Sequence, residues 1–244
     1  MFHFIKKKAY LKDLIPSNHV DIHSHLLPGI DDGAATIEDT LLLTNQLQSL
    51  GFEQCITTPH ITSNVWDNTP EIIESTYQTA TAILKNEHKI ALRYAAEYMI
   101  DPGFVHLFQN ESLLTLKENY VLVEISYINA PIQLYAVIFD LQIAGYRPIL
   151  AHPERYNYYH HHFHDYEKLK NAGCLFQLNL LSTVGYYGAE VARVAERLLK
   201  KGMIDFVGSD VHHTNHIQAF SNKVLFKDIS PLKKAIENNQ IFRW

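Results

Sequence analysis

What this 244-residue chain has little of narrows the reading first. Cysteine is nearly absent: Cys55 and Cys174 are too few for a disulfide framework and lack metal-binding spacing. No apolar run reaches the roughly 18 residues that a membrane helix needs. The first ten residues are interrupted by charge, unlike a signal peptide. Basic charge is not in excess, since 21 Lys and Arg against 26 Asp and Glu leave a formal charge of −5. That balance argues against general attraction to nucleic acid. The one basic run, Lys6–Lys8, reads as a solvated tail. No Gly-x-Gly-x-x-Gly turn follows the first apolar run, which disfavours a dinucleotide-binding open sheet. Glycine and proline are not gathered into a linker, and no segment repeats. The expectation is a soluble, cytoplasmic protein, with an extension over 1–18 and one domain over 19–244.

Apolar runs and helical patterns alternate along the chain. Strands are expected at His19–His23, Gln54–Thr58, Ile90–Ala96, Tyr120–Ile125, Pro148–Ala151, Leu175–Leu180 and Ile204–Gly208. Helices are expected from Thr36 to Gly51, from Pro70 to Asn86, after Asp101-Pro102, over Pro131–Ala144, Tyr166–Asn171, Glu190–Lys201 and Pro231–Asn238. Nearly continuous apolar strands separated by helices imply a parallel sheet covered on both faces. Seven such units fit an α/β barrel better than a small open sheet.

Against that scarcity stands histidine, with fifteen copies. Most histidines bind nothing, so position has to decide. His23 and His25 end the first strand, and Asp32 lies in the loop beyond. His60 follows the second, Glu97 ends the third, Glu124 the fourth and His152 the fifth. Glu154 and Arg155 come just after, and Asp210 and His212 end the seventh. All belong to the carboxyl ends of strands, the rim where barrel enzymes build their sites. His23-x-His25 and Asp210-x-His212 have the period of two that turns side chains to one side of an extended chain. Imidazole and carboxylate without thiolate suit Mn, Fe, Zn or Mg. Five histidines and four carboxylates exceed what one cation can use, so two or three cations are expected.

Together DIHSHLLPGIDDG (21–33), TTPH (57–60), AAEY (95–98), VEIS (123–126), AHPERY (151–156) and GSDVH (208–212) resemble the PHP (polymerase and histidinol phosphatase) superfamily. The first and fifth of these motifs resemble more narrowly the manganese-dependent protein-tyrosine phosphatases of bacterial capsule and exopolysaccharide operons, the CpsB/CapC type. The resemblance implies a distorted seven-stranded barrel holding three divalent cations, Mn²⁺ foremost. It implies one cation on His23, His25, Glu97 and Asp210, and a second on Glu97, Glu124 and His152. The third falls to Asp32, His60 and His212. Arg155 matches the phosphate-binding arginine, and Asp21 is expected behind His23. Glu154 or a rim histidine stands as a candidate to assist the leaving group. The implied substrate is a phosphotyrosyl protein, the tyrosine-rich tail of a bacterial tyrosine kinase, with oligomer formation left open. Pro153 and the stretch before His19 depart from the pattern of some relatives.

A small-molecule phosphatase of the histidinol-phosphate type is the alternative, and a catalytically dead barrel is disfavoured because no ligand position is degenerate. Thiolate phosphatase chemistry is excluded, because neither cysteine has an arginine six residues on. The histidines in YNYYHHHFHD (156–165) read as a solvent-facing loop, and His213 as a weaker ligand candidate. Tyr156, Tyr158, Tyr159, Tyr186 and Tyr187 can line a mouth for an aromatic substrate or simply pack.

Overall fold

The computed structural model describes residues 8–85 and 90–244. Lys6, Lys7 and the Asn86 end of the expected second helix lie outside the described residues. Nine strands are present among those described: β1 His19–Asp21, β2 Phe52–Thr57, β3 His60–Ile61, β4 Ala91–Tyr94, β5 Glu97–Met99, β6 Tyr120–Glu124, β7 Arg147–Ala151, β8 Leu175–Asn179 and β9 Phe206–Gly208. The helices are α1 Ile37–Ser49, α2 Pro70–Leu84, α3 Pro102–Asn110, α4 Leu134–Ile143, α5 His164–Asn171, α6 Ala189–Lys200, α7 Thr214–Ala219 and α8 Ser230–Asn238. Start signals work as expected. Thr36 and Asp39 form a capping box on α1, and Thr69 and Asp101 cap α2 and α3 with proline at the first turn.

The architecture is α/β with parallel sheets. One sheet has the order β1-β2-β4, the other β3-β5-β6-β7-β8-β9, and every strand pair is parallel. The second and third expected strands appear as β2 and β4, and each is followed, beyond its expected bounds, by a further short strand, β3 and β5. Pro59, with no N–H to donate, separates β2 from β3. The neighbouring chain follows the same jog, with Ala95 N–H bonded to Thr57 O and Glu97 N–H to Pro59 O. The first strand closes at Asp21 rather than His23, yet pairing continues past it through a bridge from Ser24 to Val211. Helix α7 had no sequence signal, since six residues are too few to display a period.

Alternation along the strands splits the core. Val20, Ile22, Ile56, Tyr120, Leu122, Ile149, Ala151 and Phe206 form one cluster, drawn from both sheets. Their neighbours, such as Cys55, Val121, Val123 and Leu150, face a second cluster shared with the helices. Glu124 continues the inward series of Tyr120 and Leu122 and so stands at the carboxyl end of the inner cluster. The described part of the stretch before His19, residues 8–18, is packed against the rest of the chain. Leu11 is fully buried, and Leu11 and Lys12 donate to Asn222 O and Phe220 O.

His19, at the opposite end of β1, is fully buried edge-on to Phe52, and neither ring nitrogen has a hydrogen-bond partner among the described residues. Burial drives its pKa from 6.5 down to about 3. The folded chain therefore binds fewer protons than the unfolded chain between these values, so this contribution to stability is lost as pH falls below 6.5. Between pH 7 and pH 5 the loss is about 2 kcal/mol. Urea unfolding at both values checks this: His19→Leu should flatten the slope, and an equally steep slope in the variant would refute the assignment.

Candidate metal centre

Strand register delivers the candidate donors to one place. His23 Nε2 and His25 Nε2 lie 3.3 Å apart. Glu97 Oε2 is 3.2 Å from the first and 3.5 Å from the second. Asp210 Oδ1 is 3.2 and 3.4 Å from the same two atoms. Atoms about 3–3.5 Å apart are spaced as neighbouring ligands around one cation at about 2.0–2.2 Å. His60 Nδ1 adds further donors, 3.2 Å from Glu97 Oε2 and 3.0 Å from Glu124 Oε1. His152 Nε2 lies 3.0 Å from Glu97 Oε1. Asp32 Oδ1 stands 3.5 Å from His60 Nε2 and 3.3 Å from His212 Nε2. The structure thus brings together all nine residues singled out as metal-ligand candidates, grouped around Glu97 and around Asp32.

The donors are presented as a cation needs them. His23 Nδ1 donates to Gln177 Oε1 at 2.8 Å, an amide held the right way round by its own N–H on Leu178 O. His25 Nδ1 donates to Asp31 Oδ2 at 2.7 Å, and His212 Nδ1 to Asp210 O at 2.9 Å. In all three rings Nδ1–H is thereby engaged, so that Nε2 points to the centre and offers its lone pair there once its own proton is given up to a cation. Glu97 Oε2 and His60 Nδ1 are buried without a hydrogen bond among the described residues despite these close approaches. A buried carboxylate oxygen without a hydrogen bond is costly, and a cation among the three nitrogens would satisfy it. The donor set fits divalent metal on this ground.

Charge is balanced at the same place. Burial opposes ionisation of Asp210, but His23 and His212 outweigh it and hold the carboxyl well below its usual range. The His212 ring likewise holds Asp32 down to about 2. Glu124 is raised by burial and by Glu97 beside it. His152 and Asp210 also adopt positive φ, 35° and 51°, a strained conformation for residues with a side chain. Glycine spares the crowding nearby. A Cβ on Gly33 would come within 2.3 Å of His25 O, and one on Gly208 within 2.6 Å of His23 Cβ.

Arg155 reaches the rim, with its Nη1 donating to Asp210 Oδ2 at 2.8 Å. Its guanidinium lies 4.3 Å from the Tyr187 ring centre and 5.0 Å from that of Tyr127. Asp32, Arg155, Tyr187, Asp210, His212 and His216 line a cavity of about 190 Å³. Glu154, paired with Arg155 in the sequence, does not join them. Both sit in a tight turn over Pro153–Arg155, where successive side chains diverge by about 120°. Glu154 points inward, fully buried, accepting from Asn179 N–H and Ser182 Oγ, with burial raising its pKa to about 7. It has no access to a leaving group at the mouth.

Asp21 is likewise displaced from the role expected of it. Its carboxylate binds Ser209 N–H and Oγ rather than a histidine ring, fixing the residue before Asp210. Of the tyrosines considered for the mouth, Tyr156 and Tyr159 are buried and Tyr158 bonds Ser126 O, whereas Tyr187 borders the cavity. His161, His162 and His164 are exposed, and His213 packs on His216; none of them enters a donor group among the described residues.

The sequence reading missed Asp31, Gln177, Asn179 and Tyr127. Asn179 Nδ2 donates to Asp210 Oδ2 at 2.8 Å, and Tyr127 stacks on His152 with ring centres 5.7 Å apart. Gln177-x-Asn179 carried a signal: two polar residues with period two at the carboxyl end of an otherwise apolar strand.

Both cysteines are buried, and burial raises their thiols, that of Cys174 to about 12. Neither supplies thiolate near neutral pH. Cys55→Ala and Cys174→Ala should leave kcat on an aryl phosphate within about twofold while costing about 1–2 kcal/mol of stability each. A fall of about 10³-fold in either folded variant, roughly 4 kcal/mol in barrier, would restore a thiol mechanism.

The chain is similar to known proteins over most of its length. Over 209 residues the chain is 27% identical to "Tyrosine-protein phosphatase YwqE" of Bacillus subtilis, covering 85% of this chain and 82% of that one. It is 28% identical over 215 residues to "Putative tyrosine-protein phosphatase CapC" of Staphylococcus aureus, covering 86% and 82%. A solved structure from a study of YwqE from Bacillus subtilis and CpsB from Streptococcus pneumoniae, described as unique metal-dependent tyrosine phosphatases, superposes with a TM-score of 0.80. That match has 26% identity and covers 91% of this chain and 93% of the other. The family model for capsular polysaccharide synthesis, CpsB/CapC, matches residues 19–223, and the chain belongs to that family.

Proposed function

We propose that this chain is a metal-dependent phosphomonoesterase that hydrolyses phosphotyrosine on proteins, in the regulation of capsular or exopolysaccharide synthesis. The observation that carries the reading is Arg155, held between two tyrosine rings and bonded to Asp210 at the edge of the converging donors. His23, His25, Glu97 and Asp210 would hold one cation. Glu97, Glu124 and His152 would hold a second, and Asp32, His60 and His212 a third. His60 stands between the outer two, with Nδ1 toward Glu124 and Nε2 toward Asp32. Oxygen and imidazole donors without thiolate suit Mn²⁺, with Fe, Zn and Mg as competitors. Divalent cations here would generate a nucleophile from water near neutral pH and neutralise the phosphoryl oxygens.

The protein's own groups do the rest. Arg155 would grip two phosphoryl oxygens with its planar fork. Gln177, Asp31 and the Asp210 carbonyl keep the rings oriented so that nothing need reorganise during the reaction. Phenolate, with a parent pKa near 10, leaves with little protonation, so the burial of Glu154 is no obstacle. Tyr127, 44% exposed, offers an aromatic face beside Arg155 for the substrate ring. We further assign a distorted barrel of seven strand units within the unit 19–244. The Ser24–Val211 bridge and an inner cluster drawn from both sheets support its closure. The tyrosine-rich tail of a bacterial tyrosine kinase, in the cytoplasm, is the substrate we assign.

Substrate class is tested by kcat/KM under matched Mn²⁺ and pH. Phosphotyrosyl peptides should exceed phosphoserine peptides and histidinol phosphate by about tenfold or more, about 1.4 kcal/mol. An amino-alcohol phosphate needs a carboxylate for its ammonium group, and Glu154 is buried away from the mouth. Turnover of histidinol phosphate ten times the more efficient would replace this reading with the small-molecule one.

A further inference from the structure

Helix α4 is apolar on two sides. Leu134, Val137, Ile138 and Leu141 are buried against the body. Tyr135, Phe139 and Ile143, four residues apart and so on one side of the helix, are 41, 62 and 74% exposed. Ile128 and Ile132, in the segment leading to the helix, are 86 and 102% exposed. A surface helix normally presents polar residues outward, and one that is apolar all round is covered all round. From Ser126 to Tyr146 the single charged side chain is Asp140. Taking about 200 Å² for a large side chain, these five residues leave on the order of 700 Å² open. About half of this area lies on the helix stripe itself, comparable to the about 300–600 Å² of a typical monomer's largest apolar patch, and with the segment leading to the helix the total approaches the about 800 Å² each partner buries in a stable complex.

We propose that the outer face of α4 is the interface of a two-fold dimer of this chain. The area matches what one copy contributes to such an interface, and aromatic and aliphatic side chains without charge are the composition of an interface core. A lipid surface is disfavoured, because membrane-lying helices carry Lys and Arg on their polar side, and residues 126–146 have neither. A transient substrate would leave the patch bare for most of the protein's lifetime, whereas a second copy covers it whenever the protein is present. A two-fold interface is self-complementary. Antiparallel packing centred on Phe139 sets Tyr135 of one copy against Ile143 of the other, so the stripe completes itself.

Sedimentation velocity of the metal-replete full chain at tens of micromolar tests this. The wild type should run as a dimer of the 28.1 kDa chain. Phe139→Asp should run as a monomer with unchanged circular dichroism and unchanged turnover of an aryl phosphate. Phe139→Cys should form a disulfide-linked dimer in oxidised glutathione, while Val65→Cys, also on the surface, should not; Cys55 and Cys174 are buried and do not interfere. A wild type that stays monomeric, a Phe139→Asp dimer as tight as the wild type, or equal cross-linking at Val65 and Phe139 would each overturn the proposal. Binding of the monomer to vesicles through this face would assign it to lipid instead.

Discussion

Stripping the chain of divalent metal should abolish phosphatase activity and lower the melting temperature together, and Mn²⁺ should restore both. The activity arm follows from the donors. Their Nε2 atoms are aimed at a common centre, and among the described residues lining the cavity the one Lys or Arg offered to phosphate is Arg155, already paired with Asp210. The stability arm is independent of substrate. Glu97 and Glu124 are buried side by side, and Glu97 Oε2 has no hydrogen bond among the described residues, so the centre without cations stores repulsion and an orphaned oxygen. A ligand present at a thousand times its Kd adds about 4 kcal/mol. For a chain of this size that corresponds to about 8–16 °C. Calorimetry with and without chelator, beside elemental analysis of the protein, measures it. Full turnover in protein verified free of metal would end the metal reading, and an unchanged melting temperature would show that these nine residues do not bind the cation.

Much of the centre was legible because its donors obey strand geometry. His23-x-His25 continues the chain past β1 with its rings meeting, and His60, Glu97, Glu124 and His152 each stand at or just beyond an apolar run that becomes a strand. Asp210, by contrast, meets His212 through a left-handed backbone at φ 51° that the period-two reading did not anticipate. What escaped has physical causes. Asp31 and Asp32 are adjacent and alike in sequence. Only the turn closing on Gly33 sends one carboxylate to the back of His25 and the other to the cavity mouth. Glu154 looked available because its neighbours are functional, but in a tight turn adjacent residues face different ways. The break between β2 and β3 was signalled by Pro59, whereas the matching jog at Ala95–Ala96 is imposed from across the sheet, which no local pattern records. Tyr127 looks like any loop tyrosine until folding sets it on His152.

Arg155→Lys is expected to keep the fold and the metals while losing about 10²-fold or more in kcat/KM, about 2.7 kcal/mol. Lysine keeps the charge but gives up three things at once. The fork that can hold two phosphoryl oxygens is lost. So is the flat guanidinium, which fills the space between Tyr127 and Tyr187 at 5.0 and 4.3 Å. The third is the Nη1 bond to Asp210 Oδ2, which shares that carboxylate with Asn179 and so keeps Oδ1 turned toward His23 and His25. The loss should be equal for a small aryl phosphate and a phosphotyrosyl peptide, because both present the same phosphoryl group. Tyr127→Leu separates the contributions: it leaves the fork intact and removes one ring face, so it should cost less than Arg155→Lys on both substrates. Steady-state kinetics on the two substrates, with metal content measured in each variant, checks this. If Arg155→Lys retained more than about a third of wild-type kcat/KM with its metals in place, under about 1 kcal/mol, phosphate recognition would have to lie elsewhere on the rim. If it lost its metals, Arg155 would be acting through Asp210, as a support of the cage rather than a contact to substrate.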